Sequence, residues 1–282
     1  MIRTIMVGTD LSPAATKAVA WAGALARDCG AELIPVAALN RESKAASHEA
    51  ASKLRTAVRM LIDDEVEGLG IADVSRSAVV TFADARTLLP EFIAREHVDL
   101  LVVGRTGAGG FTGLTFGGTA GFLAHNVECP VAIVPRDIGA AAGKDWVLGV
   151  DGSEANRAAL HWAVQVSEQV QSDVHAVYVY DPFIGPSSVP WFEEDEAVGI
   201  EGRAARTLVD DVVSTRPISF ERVDGHRIPG LVEAARRHDT RAIVVGAKGA
   251  GSLRGLRLGR VPSQLMLHAE CPVVIVKDGR AH

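Results

Sequence analysis

The stretch VVGRTGAGGFTGLTFGGTA, residues 102–120, decides the fold. It opens as a buried strand, then breaks into a segment with seven glycines and no acidic side chain across the nineteen residues. It is written twice, for VVGAKGAGSLRGLRLGRVP follows at 244–262. Glycines 104, 107, 109, 113 and 117 return at 246, 249, 251, 255 and 259, each 142 positions later. Missing β-carbons let backbone N–H groups approach an anion closely. The spacing predicts helices beginning near 118 and 260, whose N-termini add unpaired donors and a partial positive charge. Carboxylates would repel a phosphate, and neither loop has one. A flexible connector could also be rich in glycine, but the same spacing at the same place in two copies favours an anion cradle.

The repeat reaches well beyond the loop. Asp10 matches Asp151 and Trp21 matches Trp162, both 141 positions apart, while ECPVAIV at 128–134 matches ECPVVIV at 270–276 at an offset of 142. We therefore expect one domain over 1–137, a linker over 138–145 and a second domain over 146–282. In the first copy TIMVGTD, ELIPVAAL, SAVVTFA, DLLVVG and PVAIV are short, β-branched and almost continuously apolar. That is how parallel strands buried on both faces read. Between the first two lies a helix with Ser12 to cap it, Pro13 in its first turn and Gly30 to stop it. Its Val19, Ala22, Leu25, Ala26 and Cys29 share one face. Residues 43–69 and 86–97 also follow a helical period. The fold class is α/β: two doubly wound domains, each a five-stranded parallel sheet flanked by helices. Such folds bind ligands beyond the carboxyl ends of the strands, where the strand order switches.

Bulk properties narrow the function. The chain has 282 residues, a net charge of -6 and 48% hydrophobic residues. An acidic chain of this kind is a poor general nucleic-acid binder. No apolar run approaches a membrane span, and MIRTIMVGTD reads as a strand rather than a signal peptide. The expected compartment is the cytoplasm. Three scattered cysteines make no disulfide framework, and no Cys-x-x-Cys or His-x-x-x-His spacing points to a metal.

The glycine spacing is neither the dinucleotide fingerprint nor the Walker loop. Taken with TDLSP and VDGSE after the first strands, the two helical tryptophans, the VVG strands and the CPV openings, it resembles the universal stress protein family in tandem form, over nearly the whole chain. In the nucleotide-binding branch of that family, the aspartate after the first strand and a backbone group late in the second hold adenine, and the glycine loop holds ribose and phosphates. By position the resemblance implies Asp10, Ala38, Gly104, Gly107 and Gly117 in the first copy, and the loop itself adds Arg105, Gly118 and Thr119 as candidates. In the second it implies Asp151, Val179, Gly246, Gly249 and Gly259, and the charge of the loop adds Lys248 and Arg260 as candidates. The implied cofactor is ATP, with or without magnesium. The implied assembly pairs the two domains through their fifth strands, with a homodimer beyond that.

The loops depart from the family at their ends. Gly118 and Arg260 stand where a phosphate-binding hydroxyl is usual, and Ala120 and Pro262 where a second often follows. Each lost neutral hydrogen bond weakens binding by about 0.5–1.5 kcal/mol. Lys248, Arg254, Arg257 and Arg260 put four cations on the second loop, which can bind phosphate, fill the pocket or face another surface. His226 and Arg227, on another carboxyl-end loop of the second copy, are further candidates to line its site. Trp21 and Trp162 are expected in the cores. The segment 181–198 lacks a counterpart in the first copy and reads as a loop that folds back, closes as a lid or meets a partner. The expected function is a regulatory nucleotide binder with no catalytic residues and no metal site in the protein. The rivals are an interaction scaffold with decayed sites and, with less support, a nucleotide hydrolase.

Overall fold

The computed structural model describes residues 1–39, 48–107, 118–138, 143–153, 156–181, 194–249 and 257–277, with 194–201 as backbone only. The chain divides into two compact units, Met1–Ile138 and Gly139–His282.

The first unit runs β1 (Thr4–Gly8), α1 (Pro13–Cys29), β2 (Glu32–Leu39), α2 (His48–Gly68), β3 (Val79–Phe82), α3 (Ala85–Glu96), β4 (Leu100–Gly104), α4 (Gly118–Asn126) and β5 (Val131–Val134). Its strand order is β3-β2-β1-β4-β5, and the pairings are parallel. The second unit repeats the plan with β6 (Asp145–Val150), α5 (Arg157–Val170), β7 (Val174–Tyr180), α6 (Glu194–Asp210), β8 (Ile218–Asp224), α7 (Arg227–Arg237), β9 (Thr240–Gly246), α8 (Arg260–His268) and β10 (Val273–Val276). Its order is β8-β7-β6-β9-β10, again parallel. The direction of winding therefore reverses between β1 and β4, and between β6 and β9. Each reversal opens a crevice at the carboxyl ends of the strands.

The apolar runs form the sheets because both faces are covered. Ile5, Met6, Val7, Leu100, Leu101 and Val102 are fully buried, as are Val147, Leu148, Ile243 and Val244. Each such side chain contributes about 1.5–3 kcal/mol on leaving water. Pro35 sits inside β2 without breaking it. Leu33 bonds toward the third-strand side, to Val74 O and from Arg76 N, and Pro35, two residues on, faces that same side before the β3 ladder begins at Val36 and Val79.

The ends of α1 follow their sequence signals. Ser12 accepts from Ala15 N, Pro13 opens the helix, and Gly30 closes it at φ 64°. Val19, Ala22, Leu25 and Ala26 are buried, whereas Cys29 at the last turn is half-buried. Strand β1 ends at Gly8, so Asp10 stands two residues past it rather than within it. The described part of the long helical segment begins at His48, and 43–47 lie outside the described residues. Trp21 is buried. Trp162 is only half-buried and meets Trp146 edge to face at 5.6 Å. Of 181–198, the loop 182–193 lies outside the described residues. No described helix is long and apolar enough to cross a membrane.

Candidate functional site

Each crevice is built around a turn that leaves the first strand of its unit. In the first, Thr9 N donates to Val36 O at 2.9 Å, pinning the turn to β2. Asp10 Oδ1 then accepts from Ser12 N at 3.1 Å, and Leu11 N donates to Thr9 Oγ1 at 3.2 Å. Leu11 is left-handed, φ 60°. In the second unit Asp151 Oδ1 accepts from Ser153 N at 3.0 Å and from Ser153 Oγ at 2.6 Å, and Gly152 between them has φ 72°. An aspartate bonding the N–H two residues on is a local device that fixes its own carboxylate. One oxygen is used in the turn and the other points across the crevice.

What it points at lies almost a hundred residues away. A β-carbon built on Gly107 would stand 2.5 Å from Asp10 Oδ2. One built on Gly249 would collide with Asp151 Oδ2 in the same way. The contact is possible because β1 pairs with β4, Gly8 opposite Val103, so both chains emerge side by side. Any larger residue there would have to push the carboxylate aside, so glycine is favoured by close approach and not by a positive φ. Gly104 is similarly confined, since a β-carbon would come 3.1 Å from Ala14 O in the first turn of α1.

The second strand completes the rim. Gly8 pairs with Val36, so continuing the register brings Ala38 beside Asp10. Val150 pairs with Tyr178, which brings Val179 beside Asp151. Ala38 is half-buried and Val179 is buried against Gly230. The structure thus gathers Asp10, Ala38, Gly104 and Gly107 around one crevice, and Asp151, Val179, Gly246 and Gly249 around the other.

The far ends of the glycine loops differ in what is described. Gly117 and Arg254 lie outside the described residues. Gly118 and Thr119 are exposed at the start of α4. Gly259 caps α8 with extended backbone, φ -80° and ψ 173°, and no side chain closes that helix end. Gly259 N donates to Ala247 O at 2.7 Å, tying the end of the second loop to its beginning. Arg260 and Arg257 are exposed, as is Lys248. An exposed Arg260 does not fill the pocket. Arg105 N donates to Val134 O at 2.8 Å, and Ala247 N makes the matching bond to Val276 O at 2.7 Å. Burial pushes the Arg105 guanidinium down from its ordinary value, and the charge of Asp137 opposes that fall.

Two features of the rim were not read from the sequence. One is the left-handed residue after each aspartate. The other is Asp181, 2% exposed at the end of β7, whose Oδ2 lies 3.2 Å from His226 Nδ1 at the start of α7. His226 was a candidate and its partner was not, because the pair forms only when β7 lies beside β8. Asp84 occupies the place of His226 in the first copy, and there its carboxylate accepts from Arg86 N at 2.8 Å.

Comparison with known proteins agrees with this fold. The universal stress protein family matches residues 1–135 and again 144–277. The chain belongs to the universal stress protein family. A universal stress protein of Mycobacterium tuberculosis is 26% identical over 306 residues, covering 97% of this chain and 96% of its own. One from Methanocaldococcus jannaschii is 30% identical over 139 residues, covering 48% of this chain and 82% of its own. Among solved structures, a universal stress protein from Archaeoglobus fulgidus superposes with a TM-score of 0.70 at 17% identity, covering 98% of both chains. This universal stress protein thus shares its tandem arrangement with full-length relatives, and the shared fold extends over both units.

Proposed function

We propose that this universal stress protein is a cytoplasmic, stress-responsive regulator that binds an adenine nucleotide, ATP foremost, at one or both domains. The observation that carries the proposal is the aspartate–glycine contact made twice, Asp10 on Gly107 and Asp151 on Gly249. Each carboxylate is held at the rim as an acceptor, matched to the exocyclic amino group of adenine. Backbone groups of Ala38 or Val179 on the neighbouring strand supply the complementary contacts. Phosphates would extend across the switch point to the glycine loop and the first turn of α4 or α8. A loop held this close to a carboxylate fits one wall of a binding rim better than a loose connector, with the phosphates kept at the far end of the loop, away from the aspartate.

Magnesium would arrive on the phosphates. Among the described residues, no group of three or more His, Cys, Asp or Glu could hold a metal ion. Magnesium bound with a nucleotide needs only one or two carboxylates beside phosphate oxygens and water. Turnover is expected to be weak, because neither glycine loop contains an acid or a histidine to serve as base. The scaffold reading draws on the missing hydroxyls at Gly118 and Arg260, and one experiment separates the two. The purified protein is quenched in acid and the released nucleotide is identified by chromatography. We expect ATP, ADP or AMP in an amount that matches one or both domains. Absence of released nucleotide, together with no heat on titrating ATP, ADP or adenosine, would leave the scaffold.

A further inference from the structure

One end of the second sheet carries a titratable cluster that the first sheet lacks. His175 in β7 and His238 at the end of α7 stack face to face, with ring centroids 3.8 Å apart and planes 16° from parallel. Asp145 Oδ2 of β6 lies 3.5 Å from His175 Nε2, and Glu221 Oε1 of β8 lies 3.3 Å from His238 Nε2. Ser219 Oγ lies 2.8 Å from His175 Nδ1. The cluster sits toward the amino ends of the strands, away from the crevice. The His175 side chain is only 16% exposed and that of His238 26%. In the first copy Thr4, Ile34, Val79 and Glu96 hold the places of Asp145, His175, Glu221 and His238, at the offsets of 141 and 142 that run through the repeat. Ile34 is fully buried. An apolar residue therefore serves the core at this place, and a half-hidden histidine there costs free energy that its contacts must offset.

The contacts fix where protons can go. A carboxylate only accepts, so each imidazole nitrogen beside one carries the hydrogen. His175 donates from Nε2 to Asp145, and its Nδ1 accepts from the Ser219 hydroxyl. His238 donates from Nε2 to Glu221. The neutral pair is satisfied at these three contacts. A first proton is also accommodated, because two carboxylates stand close and a cation at His238 suits the carboxyl end of α7. A second proton sets two imidazolium rings face to face, and like charges that close oppose one another's charging. The other charges nearby do not relieve this. Arg237 binds Glu221 Oε1 at 2.8 Å, Arg216 binds Asp173 Oδ1 at 2.7 Å, and Arg236 is held by Glu270 and Glu233. Lys144 and Asp239, next to Asp145 and His238 in sequence, are exposed. Arg241 of β9 lies over the Trp146 ring at 5.9 Å, on the other face of the sheet. Stacked rings do not aim their nitrogens at one ion, and no group of three or more His, Cys, Asp or Glu among the described residues could hold a metal.

We propose that the His175–His238 stack is a proton-operated latch on α7, closed while the pair carries at most one proton and opened when both rings are charged. The opened helix binds one proton more than the closed one, so opening becomes easier as the pH falls, by up to about tenfold per pH unit. Histidine changes charge between about pH 5 and 8, which sets the working range. The latch holds the helix that backs the second crevice. α7 buries Leu231, Ala234 and Ala235, and a β-carbon built on its Gly230 would stand 3.0 Å from Val179 on the rim. In the first copy the matching end of α3 has Glu96 paired with Arg76 at 3.0 Å, and arginine keeps its charge throughout that range. Acid therefore loosens α7 and leaves α3. His226, at the other end of α7, works in the opposite direction, since charging it strengthens its contact with Asp181 at 3.2 Å.

The test is hydrogen exchange read by mass spectrometry on the full chain at about pH 7.5 and about pH 5, corrected for the intrinsic exchange rate. On going to the lower pH, peptides covering 227–237 should lose at least about tenfold in protection relative to peptides covering 85–96 of the same molecule. His175→Gln and His238→Gln each leave a single ring, so in each the relative loss should shrink to below about twofold. Proton NMR of the histidine rings in the parent protein is a second reading that needs no variant. The two rings, recognised by the cross-peaks between them, should take up protons at two separate pH values. This titration decides the matter even if a glutamine variant fails to fold. An α7 as protected at the lower pH as at the higher, a loss shared equally by α3, a full acid response kept in either glutamine variant, or simultaneous charging of the two rings would each overturn the proposal.

Discussion

The two copies solve one turn with different residues. Leu11 and Gly152 follow the crevice aspartates, 141 positions apart, and both are left-handed at φ 60° and 72°. In the second unit α6 passes so near that a β-carbon at Gly152 would stand 2.9 Å from Ala205 N and 3.0 Å from Ala204 Cβ. Only glycine fits. In the first unit the same backbone carries a leucine that is 36% exposed. The backbone conformation is therefore set by the aspartate turn, which both copies share. The residue that adopts it is set by the neighbouring helix, which they do not share. The same division holds for the loops: the aspartate–glycine contact is common to both, and the surrounding charge is not.

That contrast can be broken by exchange. Gly152→Leu should have the largest effect on stability. A leucine at positive φ costs about 1–2 kcal/mol, and crowding against the backbone of α6 adds about 1–3 kcal/mol. Denaturant unfolding should show the second unit melting first. A variant as stable as the parent would mean that α6 moves aside freely. Next comes Arg260→Ser, which supplies the hydroxyl usual in the family and removes the exposed cation. If the second loop is the stronger phosphate site, affinity for ATP should fall about tenfold, equivalent to about 1.4 kcal/mol, and the salt dependence should flatten. Adenosine binding should not change. Tighter ATP binding in this variant would show that the hydroxyl outweighs the charge. The smallest effect belongs to Leu11→Gly. Relief of the left-handed leucine is offset by glycine's freedom in the unfolded chain, leaving a gain below about 1 kcal/mol in the thermal melt. A clear loss would mean that the Leu11 side chain packs to greater effect than its exposure suggests.

Much of the fold was legible because both of its signals are redundant. Continuous β-branched runs report strands buried on two faces, and the second copy repeats each run. Ser12, Pro13 and Gly30 placed the ends of α1 because caps are local chemistry. The crevice was legible only in part. Gly107 and Gly249 stood out through their spacing, but their reason is contact with Asp10 and Asp151, which exists only after β1 and β4, or β6 and β9, have paired. Leu11 gave no sign of a left-handed conformation, since leucine rarely adopts it. Asp181 was silent for the same reason, as its histidine comes from the next strand-to-helix junction.

The central claim is that each aspartate–glycine contact marks a nucleotide cradle. Isothermal titration of ATP into the wild type, Gly107→Val, Gly249→Val and the double variant, each first freed of bound nucleotide, tests it most directly. Valine would force a branched side chain into the space that each carboxylate and loop share. The account predicts that each single variant loses the heat belonging to its own copy, that the double variant gives none, and that circular dichroism shows all four folded. ATP binding by the double variant with the stoichiometry and affinity of the wild type would contradict it.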